Sequence, residues 1–201
     1  MDELISVDNE YCLYCNKYNF LGLTHDYCYK FCFIKRHFDV YRYSSDIKKI
    51  LRKGNKKEIN KLVNQIALSA SLFINSLNLN NPIIIPLPEH ITNSIFNESL
   101  VQKISKLIST SLKLKIENSV IQKVKNVGND YISPNYERIT LVKDIFQVDK
   151  LHKLRGKDII MINGNSFQKN LLFDATNILY QNNTNVTIWT INIFGKQKAS
   201  L

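Results

Sequence analysis

The sequence predicts an α/β domain built on a parallel sheet with flanking helices, preceded by a small zinc-ribbon-like module. Three observations carry this. All four cysteines fall within the first 32 residues, strongly apolar runs of strand length recur downstream, and segments of helical periodicity separate those runs. A chain of 201 residues accommodates one ordinary domain with a small appendage, divided here into a module over 1–37 and an α/β domain over 38–201.

The cysteines are arranged as Cys12-x2-Cys15 and Cys28-x3-Cys32. Two close pairs of thiolates, twelve residues apart, complete a tetrahedron suited to Zn²⁺. Disulfides do not persist in a reducing cytoplasm, which leaves buried or redox thiols as the competing account. The second pair has three intervening residues instead of two, and His25 is near enough to replace Cys28. Between the pairs, Tyr18, Phe20 and Leu23 suffice for a small plug but not for a core, so the module folds only with its ion. Four closed ligands leave no position for substrate, which makes the expected role structural.

After the cysteines, Phe38–Tyr43 alternates as a strand does, and Ser44 or Ser45 caps a short basic helix over Asp46–Lys53 that stops at Gly54. A second helix, Lys57–Leu77, carries Ile59, Leu62, Val63, Ile66, Ala67, Ala70 and Phe73 on one stripe. Pro82–Pro88 reads as a buried strand ending in prolines, and Asn97–Lys113 as a helix. Asn126–Asn135 is polar and aperiodic, as a loop is. Asp158–Ile162 is a strand, Asn163–Asn170 a loop, Leu171–Tyr180 a helix and Val186–Phe194 a closing strand. That succession is a βαβ unit and implies parallel pairing.

The formal net charge is +10, from 27 Lys+Arg against 17 Asp+Glu. Such a balance attracts polyanions, although abundant Lys, Asn and Ile also follow from an A/T-rich coding sequence. Lys48, Lys49, Arg52, Lys53, Lys56 and Lys57 form the densest cluster and are the candidate nucleic-acid contacts. Lys30, Arg36 and Arg42, with Tyr27, Tyr29, Phe31 and Phe33, lie just before it. Rings among cations suit single strands, whereas the plainer reading puts the rings in the core and the lysines on solvated helix faces. Asp2, Glu3 and Asp8 argue against a signal peptide, and no apolar run is long enough to span a bilayer, so the expected location is cytoplasmic, with no direct membrane insertion.

The order of motifs resembles the ComF-type competence proteins, a phosphoribosyltransferase-like family of natural transformation. The resemblance rests on the leading cysteine module, Tyr41-x-Tyr43, Ile50-Leu-Arg-Lys-Gly54, Ile85-Pro-Leu-Pro88 and Ile95-Phe-Asn-Glu98, then on Glu137-Arg138, Phe146-Gln-Val148 and Arg155-Gly-Lys-Asp-Ile-Ile160. It implies a type I phosphoribosyltransferase-like sheet. It also implies a role as a DNA-uptake accessory factor that handles single-stranded DNA or docks on an uptake helicase or membrane channel proteins.

Against that family's pattern, Asn163 and Gly164 stand where two adjacent acids would hold a ribose, and Phe167, Gln168 and Lys169 replace a small-residue phosphate turn. Pro88–Ile95 holds no Arg or Lys for a diphosphate. Losing one oxyanion-type donor typically costs about 3 kcal/mol, so losing all these elements predicts a fold kept without catalysis, with no catalytic residue and neither PRPP nor Mg²⁺ expected. A vestigial phosphate loop of Asn163, Gly164, Asn165, Ser166 and Lys169 is the residual anion site, against the alternative of a solvated connecting loop. The runner-up is an active phosphoribosyltransferase with an atypical PRPP loop.

Overall fold

The computed structural model describes residues 10–88, 99–124, 145–165, 169–182 and 185–195. Helix α1 (Asp26–Cys32) leads into strand β1 (Ile34–Arg42), then α2 (Ser45–Lys53), α3 (Lys56–Asn75) and β2 (Ile83–Pro86). Helix α4 (Leu100–Leu112) and the short strands β3 (Lys115–Ile116), β4 (Ile121–Lys123) and β5 (Phe146–Val148) follow. Strand β6 (Asp158–Asn165), α5 (Lys169–Asn182) and β7 (Thr187–Gly195) complete the described order. Five strands form one sheet in the order β1-β7-β6-β2-β3, and every pair in it is parallel. Strands β4 and β5 pair separately and antiparallel.

Local signals set the helix ends. Ser44 accepts from the Ile47 N–H at the start of α2, and a β-carbon at Gly54 would lie 2.4 Å from the Ile50 carbonyl oxygen, so glycine stands where that helix stops. Asn55 with Glu58, and Ser99 with Gln102, build reciprocal capping boxes for α3 and α4. These positions reproduce the expected helices to within a few residues.

Strand alternation divides the core. Ile160 and Ile162 of β6 face α2, α3 and α4, together with Ile84, Ile191 and Ile193. Ile159 and Met161 face the other way, onto Leu172, Phe173 and Leu179 of α5 and onto Leu13 and Cys32 of the cysteine segment. The crossovers β1→β2 and β2→β3 run one way along the sheet and β6→β7 runs the other, so a single crossover hand puts α3 and α4 on one face and α5 on the opposite one.

Two expectations change. The boundary placed at residue 37 falls inside β1, which begins at Ile34, and Leu13 and Cys32 belong to the same apolar cluster as β6 and α5. The loop expected at Asn163–Asn170 is mostly regular: β6 continues to Asn165, opposite Phe194, and α5 begins at Lys169. The loop expected over 126–135 lies outside the described residues, as do Ile95-Phe-Asn-Glu98 and Glu137-Arg138.

A row of polar side chains crosses the carboxyl end of the sheet on the α5 face. Asp39, Asn192 and Asn163 are register partners on β1, β7 and β6, and each is at most 1% exposed. Asn163 donates its amide to Asn192 at 2.9 Å, Asn192 donates to Asp39 at 2.6 Å, and the Tyr11 hydroxyl donates to the other Asp39 oxygen. Gly195 lies against this row, because a β-carbon there would stand 2.5–2.8 Å from Asp39 side-chain atoms. Gly195→Ala therefore forces Asp39 off its partners, at a cost of about 2–4 kcal/mol. In a chain of this size that lowers Tm by roughly 4–16 °C. Thermal unfolding followed by circular dichroism checks this, and an unchanged Tm would show that Asp39 has room to move.

Candidate metal centre and basic surface

The N-terminal segment folds back on itself before entering the helix. Cys12 N–H donates to the Lys17 carbonyl and Asn16 N–H to the Cys12 carbonyl, closing a turn that brings Cys15 back beside Cys12. Asn16 holds φ 59° there, a left-handed conformation that asparagine tolerates better than most residues. The chain then places His25 at the N-cap of α1 and Cys28 within its first turn.

Cys12, Cys15, His25 and Cys28 offer ligand atoms that all lie within 4.8 Å of one another, close enough to hold one metal ion and compatible with zinc. His25 is oriented for the task. Its Nδ1 lies 3.5 Å from the Cys15 sulfur, and its Nε2 lies 3.1 Å from the Tyr18 carbonyl oxygen. A carbonyl only accepts, so Nε2 carries the proton and Nδ1 turns a lone pair toward the sulfurs. A backbone acceptor behind a ligating imidazole is the usual second support of such sites.

Cys32 was expected as the fourth ligand, and the structure places it outside this group. The reason is packing: one turn further along α1, Cys32 is drawn into the apolar core. There it is fully buried against Leu13, Ile34 and the α5 core. Burial is the main reason its thiol is pushed up to about 11, which suits a neutral core sulfur. Burial, the Cys15 thiol and the nearby Cys12 likewise push the Cys28 thiol up to about 12. At Cys15 burial acts in the same direction, but the backbone N–H of Lys17 and the thiols of Cys28 and Cys12 outweigh it and hold that group below its ordinary value. Sequence spacing carried the signal for His25: Cys-x3-Cys is the i, i+4 interval of a helix, and a helix that begins at residue 26 puts His25 and Cys28 at its start.

The module is bolted to the sheet. Lys169, at the start of α5, donates to the Leu13 carbonyl and to the Asn16 side chain. His37 Nδ1 lies 3.0 Å from the Gly22 carbonyl oxygen, and Thr176 of α5 donates to the Cys32 carbonyl at 2.7 Å. These contacts bear on three of the five residues read as a residual anion site. Asn163 faces the buried row, Gly164 is buried inside β6, and the Lys169 ammonium is turned toward the cysteine segment. Ser166 lies outside the described residues.

The candidate nucleic-acid residues divide between two helices. Lys48, Lys49, Arg52 and Lys53 are exposed on α2, and Lys56 and Lys57 are exposed at the start of α3. Lys56 and Lys57 line an open groove of ≈ 720 Å³ with Asn60, Lys61, Asn64 and Gln65. Lys103 of α4 reaches the same stripe, donating to Asn60 at 2.8 Å. This lining offers ammonium and amide groups and no carboxylate, a surface suited to phosphate oxygens. The aromatics named with this cluster sit elsewhere: Phe33 stacks on Tyr180 of α5 at 3.9 Å, and Tyr29 packs edge-on against Phe33. They anchor α1 on the face opposite to α3.

No model of a known protein family matches the sequence, and no curated protein matches it at a significant level. The findings define a mixed α/β protein with a parallel five-stranded sheet, flanking helices and an N-terminal Cys/His cluster able to hold a metal ion. Among the described residues no helix is long and apolar enough to cross a membrane.

The ligand assignment has a direct test. His25→Ala lowers Zn²⁺ affinity by on the order of 100-fold or more. Cys32→Ala keeps the metal and costs about 1–2 kcal/mol of stability through the lost core packing. Zinc analysis of both purified variants separates the two sites. Metal lost from Cys32→Ala but kept in His25→Ala would reverse the assignment.

Proposed function

We propose that this chain is a non-catalytic, zinc-stabilised α/β protein that binds nucleic acid through the α2–α3 surface. The observation that carries this is the run of exposed cations from Lys48 to Lys57, continued by the amide- and lysine-lined groove on α3. Lysines at these positions track phosphates without reading sequence, and the net charge of +10 raises polyanion concentration around the whole molecule. Zinc is structural in this reading, since three thiols and one imidazole close a tetrahedron with no open position.

The motif order favours a ComF-like role: a cytoplasmic competence and DNA-uptake accessory factor acting on single-stranded DNA, or docking on a helicase or channel of that machinery. The sheet order supports a phosphoribosyltransferase-like arrangement, since its winding reverses between β2 and β6, the place where such sheets bind ligands. On the β6 side of that point Asn163 and Lys169 are turned to partners inside the protein, which favours a scaffold over a transferase.

Binding of a labelled single-stranded oligonucleotide, measured over a salt series, tests the reading. With four to six phosphates contacted, log K against log[salt] should fall with a slope of about −3 to −4. Replacing Lys48, Lys49, Arg52 and Lys53 by Glu should flatten that slope and remove most of the affinity. Absent or salt-insensitive binding would overturn the proposal. Micromolar binding of PRPP with Mg²⁺ in a calorimeter would overturn its non-catalytic part.

A further inference from the structure

The outer face of the cysteine module presents rings to solvent. Among the described residues nine large hydrophobic side chains are exposed, and six of them lie between residues 18 and 31: Tyr18, Phe20, Leu21, Leu23, Tyr27 and Phe31. Such clustering marks an interaction surface where scattered exposure would not. Four of the six are aromatic, with Tyr18 69%, Phe20 58%, Tyr27 68% and Phe31 45% exposed. Cations accompany them. The Lys30 ammonium stands 4.3 Å from the Tyr27 ring centroid and 5.4 Å from that of Phe31, and Lys17 is exposed beside Tyr18.

The geometry points to this face as a platform on which the bases of an unpaired nucleic-acid strand stack, separate from the lysine surface on α2 and α3. The inference rests on the proposed nucleic-acid function and adds to it a second surface, which holds the strand by its bases where α2 and α3 hold phosphates. Rings with neighbouring ammonium groups give sequence-tolerant stacking together with phosphate contact, and bases in a duplex keep their faces covered by one another.

Shape chooses between a strand and a membrane as occupant. The module lies on the α5 side of the sheet, whereas α2 and α3 lie on the other. A flat bilayer does not meet both. A flexible strand bends round the edge strand β1, and there Arg36 joins the two sides: its Nε donates to the Leu21 carbonyl, and its guanidinium stands 4.9 Å from the centroid of the Phe73 ring on α3. Leu23 bridges to Arg36 along the same edge.

The experiment compares a single-stranded oligonucleotide with the duplex of the same sequence, by fluorescence anisotropy on the zinc-loaded full chain. Phe20→Ala and Tyr27→Ala, singly and together, should weaken single-strand binding by roughly five- to a hundredfold per ring. They should leave the salt slope and duplex binding as in the parent protein. Zinc content confirms that the variants keep the module, and Tyr27→Phe, which keeps the ring face, should restore binding. Parent-like single-strand affinity in the double Ala variant, with salt-sensitive binding intact, would overturn this platform and leave the α2–α3 reading standing. Loss of all nucleic-acid binding in the parent protein would remove both.

Discussion

The carboxyl group of Asp39, buried completely on β1, receives the Tyr11 hydroxyl on one oxygen and the Asn192 amide on the other. A buried polar group left without partners costs several times what a satisfied one contributes, so the row through Asp39, Asn192 and Asn163 fixes what may lie next to it. Tyr11 is one residue from Cys12. The same bond that satisfies the sheet therefore positions the first residue of the Cys/His cluster, and Lys169 repeats the arrangement from α5 by holding the Leu13 carbonyl and Asn16. The cysteine segment is in this sense a wall of the α/β core, with Leu13 and Cys32 buried in it, and the Cys/His cluster able to hold a metal ion lies within that wall.

Much of this architecture was legible in the sequence where one physical pattern dominated. Helix α3 shows an apolar stripe of period 3.6 over twenty residues, and β6 and β7 show apolar runs that only a strand buried on both faces tolerates. The misreadings arose where polar residues serve the interior. Lys35-Arg36-His37 hid the start of β1, because His37 is buried with its Nδ1 beside the Gly22 carbonyl and Arg36 lays its guanidinium over Phe73. Asn163-Gly-Asn165 read as a loop because asparagine and glycine favour turns. In the folded chain Asn163 bonds across to Asn192, a partner 29 residues away that only the sheet register supplies.

The cysteine segment shows a different limit. Spacing correctly grouped Cys12, Cys15 and Cys28, but four cysteines suggested four thiolate ligands, and that count obscured the helix between the last two. Cys28 meets the Cys12–Cys15 turn, while Cys32, one turn further along α1, is taken into the apolar core. The vacancy in the tetrahedron falls to the N-cap residue, His25. Its Nε2 finds the Tyr18 carbonyl, which settles the tautomer without any further side chain.

The sheet itself constrains any function assigned to the chain. Reversal of the winding between β2 and β6 sends α3 and α4 to one face and α5 with the cysteine segment to the other, so the lysine run and the exposed rings cannot form one flat patch, although they lie close together in sequence. Lys30 and Lys48 are separated by β1, and that strand passes from the module's side of the molecule to the start of α2. A ligand that touches both must be long, flexible and negatively charged, and it must turn at the β1 edge beside Arg36. A compact sugar diphosphate has none of that reach, whereas an unpaired strand has all of it.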